Sequence, residues 1–311
     1  MGSIISCHKQ ELAFSDDERR SSGLDGGLTR RHSMSLVNSR FYQPGKFFWN
    51  ERAATLEDQV LMPIQDPVEM GLTLQQLVNI AQDQPYYPTL FRRSFGDDEV
   101  TTDRISKALA QFVRSIVSTN SKYDRGSRNV NSPLDHFSNF TKMENRGKEL
   151  FMSTEATGTA ITCVNCHMSE SFVSPTLFSP GLTTSTQNIG LDRRSTDDFG
   201  VMETTGNPED AGKFKAPSLR NIGVSAPYMH DGRFRNLRDV VKFYSRDIEP
   251  HPNLSALLQD ERGNLVRFNF SREEEDALVA FLNTLTDRNI PMDEKFSDPF
   301  RPEKDNRRND R

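Results

Sequence analysis

Two cysteines and the histidine that follows them constrain this chain more than any other feature. They lie in the run Cys163-Val164-Asn165-Cys166-His167. A run of this kind is typical of covalent c-type haem attachment, in which each thiol forms a thioether with a haem vinyl group. The adjacent imidazole then ligates the iron from the proximal side. The spacing places both sulfurs and the imidazole along one edge of the porphyrin.

Other uses of this cysteine pair fit the sequence poorly. A structural zinc site needs four ligands, and the chain has no second cysteine pair. A thioredoxin-like redox pair lies between a strand and a helix, which the residues around this run do not predict. A disulfide between such close cysteines would close a tiny loop and stabilise the fold very little. Covalent haem is the favoured interpretation.

The composition limits the function classes. The 311 residues are enough for about two domains. No run approaches the roughly 20 apolar residues of a membrane helix, so no membrane span is predicted. A net charge of −5 argues against general nucleic-acid binding. The same charge is compatible with a basic redox partner that meets a local acidic patch.

The cysteine count and the chain start bear on the compartment. Three cysteines, Cys7, Cys163 and Cys166, exclude a disulfide framework. Haem is attached covalently outside the cytoplasm in bacteria, so we expect an export signal and a periplasmic location. No signal peptide is seen before Cys7, so we expect that a leader was removed or that the gene start is missing. Cys7-His8 is half of a haem site, with Ile4 where the first cysteine would fall.

Five helices are predicted from capping residues and from hydrophobic periodicity. They cover about 56–63, 102–118, 142–152, 237–244 and 272–285, and the first is expected to stop near Pro63. In the second, apolar residues at helical spacing predict one core face: Ile105, Ala108, Leu109, Phe112, Val113, Ile116 and Val117. Strand signals are nearly absent.

The remaining segments predict loops. Residues 1 to about 45 and 170–210 have turn composition, 120–140 is expected to link two domains, and the tail after Pro291 is charged. The predicted fold class is mainly α, with two cytochrome-c-like haem domains and long loops. We expect an N-terminal domain over 1–135 and a C-terminal domain over 136–311, each opening on a Cys-His element.

Several separate strings, in this order along the chain, resemble the bacterial dihaem cytochrome c peroxidase / MauG family. They are Phe48–Ala54, Pro63–Gly71, Gly147–Phe151, Phe214–Asn221 and Ala226–Gly232. The similarity covers nearly the whole chain, from about Ser6 to the capped helix near 285. It implies two haem c groups, an N-terminal one that handles hydrogen peroxide and a C-terminal one that passes electrons to it.

The resemblance also implies roles in the N-terminal half. His8 corresponds to the proximal ligand of the peroxide-handling haem, which Cys7 would hold covalently. Glu69 resembles the distal acid–base carboxylate, and Gln59 the hydrogen-bonding amide beside it. Trp49 matches the tryptophan that lies between the two haems.

Two residues of the C-terminal half are candidates for the sixth iron ligand. Local chemistry alone favours the thioether of Met229. The resemblance favours Tyr244, because the family places this ligand one helix after the Tyr-Met-His-Asp-Gly string. It also implies an inter-domain Ca²⁺ held by Asn38 and the backbone carbonyls of Ser225 and Pro227.

The chain departs from the family pattern in two places. Ile4 rules out two thioethers at the first site, so we expect that haem to be held by one thioether and by His8. No histidine occurs from Phe14 to Gly27, where many members carry one that blocks the peroxide haem. His32 does not match that setting. We therefore expect an open, five-coordinate first haem.

The function expected from the resemblance is a peroxidase that reduces hydrogen peroxide with electrons from a small cytochrome c or a cupredoxin. One alternative is a MauG-like oxidase that modifies residues of a partner protein. Another is an electron carrier that has kept only the C-terminal haem. The resemblance is also compatible with a homodimer.

Overall fold

The computed structural model describes residues 4–158, 162–173 and 185–299, and this part of the chain is mainly helical. Its α-helices are α1 (Ile4–Cys7), α2 (Leu56–Gln65), α3 (Leu74–Asp83), α4 (Tyr87–Phe95), α5 (Thr102–Ser115), α6 (Lys122–Ser127), α7 (Lys142–Met152), α8 (Thr154–Thr157), α9 (Met202–Thr205), α10 (Leu237–Lys242) and α11 (Arg272–Asn283). Two short strands, β1 (Thr186–Gln187) and β2 (Phe214–Lys215), pair antiparallel. No helix in the described ranges is long and apolar enough to cross a membrane.

The predicted helix starts are confirmed. Ser271 and Glu274 form the expected capping box at α11, and the Asn236 side chain caps α10. The predicted end of α2 is wrong, since the helix passes Pro63 and continues to Gln65. Proline removes only the N–H that would bond to the carbonyl four residues earlier, and the following turn keeps its own bonds.

The predicted core face of α5 is partly wrong. The helix ends at Ser115, three residues earlier than expected, and the chain turns at the fully buried Ile116. Ala108 and Phe112 are exposed, whereas Ala110 is fully buried. The buried face of α5 is therefore narrower than the apolar face that the sequence predicts.

The largest group of buried apolar side chains surrounds the contact between α7 and α11. The two helices approach so closely at Gly147 that a Cβ atom there would lie 1.8 Å from the Ala277 carbonyl oxygen. Next to this contact, the rings of Phe151 and Phe281 lie 5.1 Å apart between centroids. This contact lies within the hydrophobic core of the C-terminal half.

The expected linker at 120–140 is partly structured. It contains α6, and the buried side chains of Tyr123 and Phe137 belong to the C-terminal core. The division at about residue 135 stays a prediction, and this packing favours a boundary nearer residue 120. The described part of the tail also packs, since Phe296 joins Ile290 and Phe14 in a buried cluster. Residues 300–311 and residues 174–184 of the predicted 170–210 loop lie outside the described residues.

The contact between α7 and α11 generates a prediction. Gly147→Ala should lower the free energy of unfolding by about 3 kcal/mol, because the new methyl group meets a backbone carbonyl that cannot move independently. Thermal unfolding of the full chain measures this. Met143→Ala, which trims an exposed side chain of the same helix, is the control and should stay near wild type. Equal stability of the two variants would contradict the close contact.

Candidate functional site

The Cys163–His167 run lines a cavity of about 510 Å³. The wall includes both thiols, the His167 imidazole and the Tyr244 side chain. It is otherwise largely apolar, with Phe151, Val173, Leu237, Val241, Phe268 and Leu278 among its residues. Burial raises the pKa of the Cys163 and Cys166 thiols to about 12 and lowers the pKa of His167 to about 4. Burial thus disfavours the charged form of each of these three groups before a metal binds.

Tyr244 reaches this cavity from an irregular element. The helix predicted to run to Tyr244 ends at Lys242, and a π-helical turn, Phe243–Asp247, follows it. Such turns insert one extra residue and often occur at functional sites. Burial, followed by the nearby Cys166 and Cys163 thiols, raises the pKa of the Tyr244 hydroxyl above its usual range. Met229 lines the same cavity, so both candidates for the sixth ligand lie on its wall.

This donor set fits a haem. Two thiols, an imidazole and a phenol facing an apolar cavity are what covalent attachment and axial ligation require. Within the described ranges, no three His, Cys, Asp or Glu side chains converge as a metal site would need.

The two Cys-His elements share one local geometry. The His167 Nδ1 atom lies 3.4 Å from the Phe172 carbonyl oxygen, and the His8 Nδ1 atom lies 2.8 Å from the Phe14 carbonyl oxygen. Both phenylalanines have a left-handed backbone, with φ of 48° and 59°. A single antiparallel bridge closes each loop, Met168–Val173 and Lys9–Ser15. A histidine bonded to a carbonyl through Nδ1 presents Nε2 to a metal.

The first Cys-His element, Cys7-His8, lies at the C-terminal end of α1, whose last residue is Cys7. The Cys7 side chain is half-buried, and its Sγ atom lies 3.7 Å from the Ser6 hydroxyl oxygen. Burial lowers the pKa of His8, so its imidazole is neutral as an iron ligand must be. Ile4 is aliphatic and forms no thioether. The residues present therefore fit a haem held by one thioether and one imidazole.

His32 has partners on both ring nitrogens. Its Nδ1 atom lies 3.0 Å from the Glu18 carbonyl oxygen and its Nε2 atom 3.3 Å from the Ser15 hydroxyl oxygen. The ring is buried, which lowers its pKa. With both nitrogens engaged, His32 is poorly placed to act as a sixth iron ligand.

Gln59 and Glu69 belong to one continuous segment. Gln59 lies half-buried on α2, and Glu69 lies half-buried in the turn that follows the helix. Burial and the neighbouring Asp66 carboxylate raise the pKa of Glu69, and Arg52 opposes the shift. The Glu69 carboxyl group is therefore a better proton acceptor than an exposed one.

Trp49 connects the two halves of the chain. Its indole Nε1–H donates to the His32 carbonyl oxygen at 2.8 Å, and its own carbonyl accepts the Lys215 N–H at 2.8 Å. The side chain is buried, at 9% exposed, and it lines the cavity that also contains His167.

Sequence reasoning missed a buried polar group beside Trp49. The Lys215 Nζ atom lies 3.5 Å from the centre of the Tyr42 ring, and the Tyr42 hydroxyl donates to the Glu51 carboxylate. The Ser185 hydroxyl donates to the same carboxylate at 2.6 Å. Burial lowers the pKa of Lys215 to about 7. Nothing in the pattern around Tyr42 signalled this contact, although Lys215 stands in the C-terminal string that resembles the family.

The residues expected to bind Ca²⁺ all line the cavity. They are Asn38, Ser225 and Pro227. The Asn38 amide is also a structural link, because its Oδ1 atom accepts the Ser118 N–H at 2.8 Å and its Nδ2 atom donates to the Ser118 carbonyl at 3.1 Å. An amide oxygen has two lone pairs, so one remains for a cation. Calcium binding stays a prediction.

Comparison with known proteins covers most of the chain. The family model for the di-haem cytochrome c peroxidases matches residues 3–132. The cytochrome c551 peroxidase of Nitrosomonas europaea is 30% identical over 91% of this chain and 74% of its own. The methylamine utilization protein MauG of Paracoccus denitrificans is 31% identical over 92% of this chain and 84% of its own.

Solved structures agree with these relatives. The crystal structure of a MauG-like protein associated with microbial copper homeostasis has a TM-score of 0.80 and is 31% identical, covering 96% of this chain and 87% of that one. The diheme peroxidase BthA of Burkholderia thailandensis has a TM-score of 0.68 at 24% identity, with 93% of this chain and 82% of that one covered. The second likeness shows a shared fold.

Proposed function

Because this chain belongs to the dihaem cytochrome c peroxidase family, we propose that it reduces hydrogen peroxide at the N-terminal haem with electrons from the C-terminal haem. One observation carries the proposal. His8 and His167 have the same bond from Nδ1 to a carbonyl, although the first site has lost a cysteine. In both places this bond leaves Nε2 for a metal, which supports iron ligation by both histidines.

A bound haem supplies the iron that exchanges electrons with peroxide. Glu69 takes the proton from the peroxide oxygen nearer the haem and delivers it to the leaving oxygen, for which its raised pKa suits it. The amide of Gln59 orients the peroxide by a hydrogen bond. Because both ring nitrogens of His32 are engaged, His32 would not compete with peroxide for the iron of a bound first haem.

A haem held by Cys163, Cys166 and His167 would accept electrons from a small periplasmic donor, a cytochrome c or a cupredoxin. As the resemblance implies, Trp49 would lie between the two haems, and its hydrogen bonds to both halves would hold it in place there. A Ca²⁺ on Asn38, Ser225 and Pro227 would join the halves near the same cavity. Association of two copies as a homodimer is part of the same proposal.

A second candidate is a MauG-like oxidase that modifies residues of a partner protein. The observation that favours it is the Tyr244 phenol facing the Cys163 and Cys166 thiols, where the MauG-type members of the family have a tyrosine ligand. Turnover with reduced cytochrome identifies the peroxidase. A mass change in a partner protein after peroxide treatment identifies the oxidase.

The number of haems per chain distinguishes both candidate functions from that of an electron carrier with a single haem. Made in a host that matures c-type cytochromes, the chain should carry two haems, and denaturing mass spectrometry should find haem mass on the Cys7 peptide. One thioether and the His8 imidazole suffice for this attachment. A Cys7 peptide without haem mass, together with one haem per chain, would make the electron carrier the better assignment.

Glu69→Gln should slow the reaction with peroxide by roughly 10²–10⁴-fold, since it removes one positioned acid–base group. Both haems and the thermal unfolding temperature should be kept. Because the carboxylate must be ionised to accept the proton, the wild-type rate should fall as the pH drops through the pKa of Glu69, which lies above its ordinary value. Stopped-flow rates across pH measure both effects.

The control for this prediction is Glu57→Gln. Glu57 is a carboxylate in the first turn of α2 that pairs with Arg114 at 2.6 Å, whereas Glu69 follows the end of that helix. The rate at which Glu57→Gln reacts with peroxide, and the pH dependence of that rate, should match those of the wild type. A near-normal rate in Glu69→Gln would remove Glu69 from the mechanism.

Tyr244→Phe should change the optical spectrum of the second haem and raise its potential. A phenolate is a hard anionic donor that stabilises ferric iron, and phenylalanine offers no ligand atom. Redox titration of the two haems measures the effect. Tyr228→Phe is the control, because the buried Tyr228 hydroxyl donates to the Ile222 carbonyl at 2.8 Å. An unchanged spectrum and potential in Tyr244→Phe would leave Met229 as the candidate.

A further inference from the structure

A loop of the N-terminal half lies directly on the turn that carries Glu69. We name residues 22–28 the cover loop and residues 66–71 the acid turn. The cover loop is closed by a bridge between Ser22 and Leu28, and the Gly23 N–H donates to the Gly27 carbonyl at 2.7 Å. It is therefore a compact element.

The contact between the two elements is made by backbone. The Leu24 N–H donates to the Val68 carbonyl oxygen at 3.0 Å. A Cβ atom at Gly23 would lie 1.7 Å from that oxygen and 3.4 Å from the Cα atom of Glu69. The loop can approach this closely only because residue 23 has no side chain.

The acid turn has its own internal bonds, and the Val68 carbonyl accepts from the cover loop instead. The Asp66 carbonyl accepts the N–H groups of Glu69, Met70 and Gly71 at 3.1, 3.1 and 2.8 Å. The Asp66 carboxylate accepts the Val68 N–H at 2.8 Å. These bonds shape the turn, and the cover loop adds an external contact one residue before Glu69.

Further contacts extend the interface to the end of the turn. The Leu24 side chain lies 3.4 Å from the position that a Cβ atom would take at Gly71. A Cβ atom at Gly27 would lie 3.4 Å from the Val68 Cγ1 atom, an ordinary contact distance. The cover loop thus spans the acid turn from Val68 to Gly71.

We propose that the cover loop positions the Glu69 carboxylate for peroxide chemistry through the backbone contact of Gly23 and Leu24 with Val68. This inference rests on the proposed role of Glu69 as the acid–base group. Gly23 and Leu24 are positioning residues, because they act on the reaction through Glu69.

The charges around Glu69 make the effect of the cover loop visible in the pH dependence of the reaction with peroxide. Burial and the Asp66 carboxylate raise the pKa of Glu69, and the Arg52 guanidinium lowers it. The cover loop contributes Asp25, which is exposed. If the loop moves away, Glu69 gains solvent and its pKa falls towards the ordinary value.

The test compares Gly23→Ala with Gly27→Ala in the haem-loaded full chain. Gly23→Ala should lower the rate of reaction with hydrogen peroxide about 10-fold or more, since a small misplacement of a catalytic group is costly. The acid limb of its pH profile should move to lower pH, and amide hydrogen exchange over 66–71 should accelerate. Gly27→Ala should match the wild type in all three measurements.

A double variant separates this inference from the proposed function. If the loop acts through Glu69, Gly23→Ala should add little to the loss already caused by Glu69→Gln. Equal rate losses in both backgrounds would overturn the inference, and so would a wild-type rate and pH profile in Gly23→Ala with accelerated exchange. A normal rate in Glu69→Gln alone would instead refute the acid–base role.

A second variant covers the case in which Gly23→Ala does not fold. Leu24→Ala adds no atoms and removes only the packing on Gly71. It should change the rate, the pH profile and the exchange in the same direction as Gly23→Ala, by a smaller amount. Wild-type values in all three measurements would count against a positioning role.

Discussion

The site depends on keeping two imidazoles neutral and correctly oriented inside the protein. Burial lowers the pKa of both His8 and His167, which favours the form that can bind a metal. A carbonyl from the left-handed residue Phe14 or Phe172 lies against Nδ1 in each case and leaves Nε2 as the nitrogen for a metal. The local chain geometry therefore supplies both the protonation state and the direction that iron ligation needs, even where Ile4 replaces a cysteine.

The second constraint is the backbone contact between the two halves. The Trp49 carbonyl accepts the Lys215 N–H, and the His230 carbonyl accepts the His32 N–H at 2.8 Å. Trp49 is consequently fixed by the same bonds that join the halves. The buried Lys215 lies in this contact, and its lowered pKa reduces the positive charge over the Tyr42 ring at neutral pH.

Features set by local chemistry could be predicted from the sequence, and features set by tertiary packing could not. The caps at Asn236 and Ser271 follow from short-range hydrogen bonds, which the residue types specify. The π turn that presents Tyr244 and the exposure of Phe112 depend on neighbours far along the chain. The pairing of Tyr42 with Lys215 joins two distant segments, and neither segment alone carries a signal for it.

The proposed ligands also give the electron relay a direction. At the second site, a phenolate from Tyr244 would add an anionic donor opposite His167 and stabilise the oxidised iron. At the first site, His8 would offer a neutral donor and, under the proposal, no anionic ligand would add to it. If both sites bind haem as proposed, the second haem would be the stronger reductant of the two. Electrons that arrive there would then pass to the first haem, where Glu69 would handle the protons, and the asymmetry of the two sites would drive transfer past Trp49.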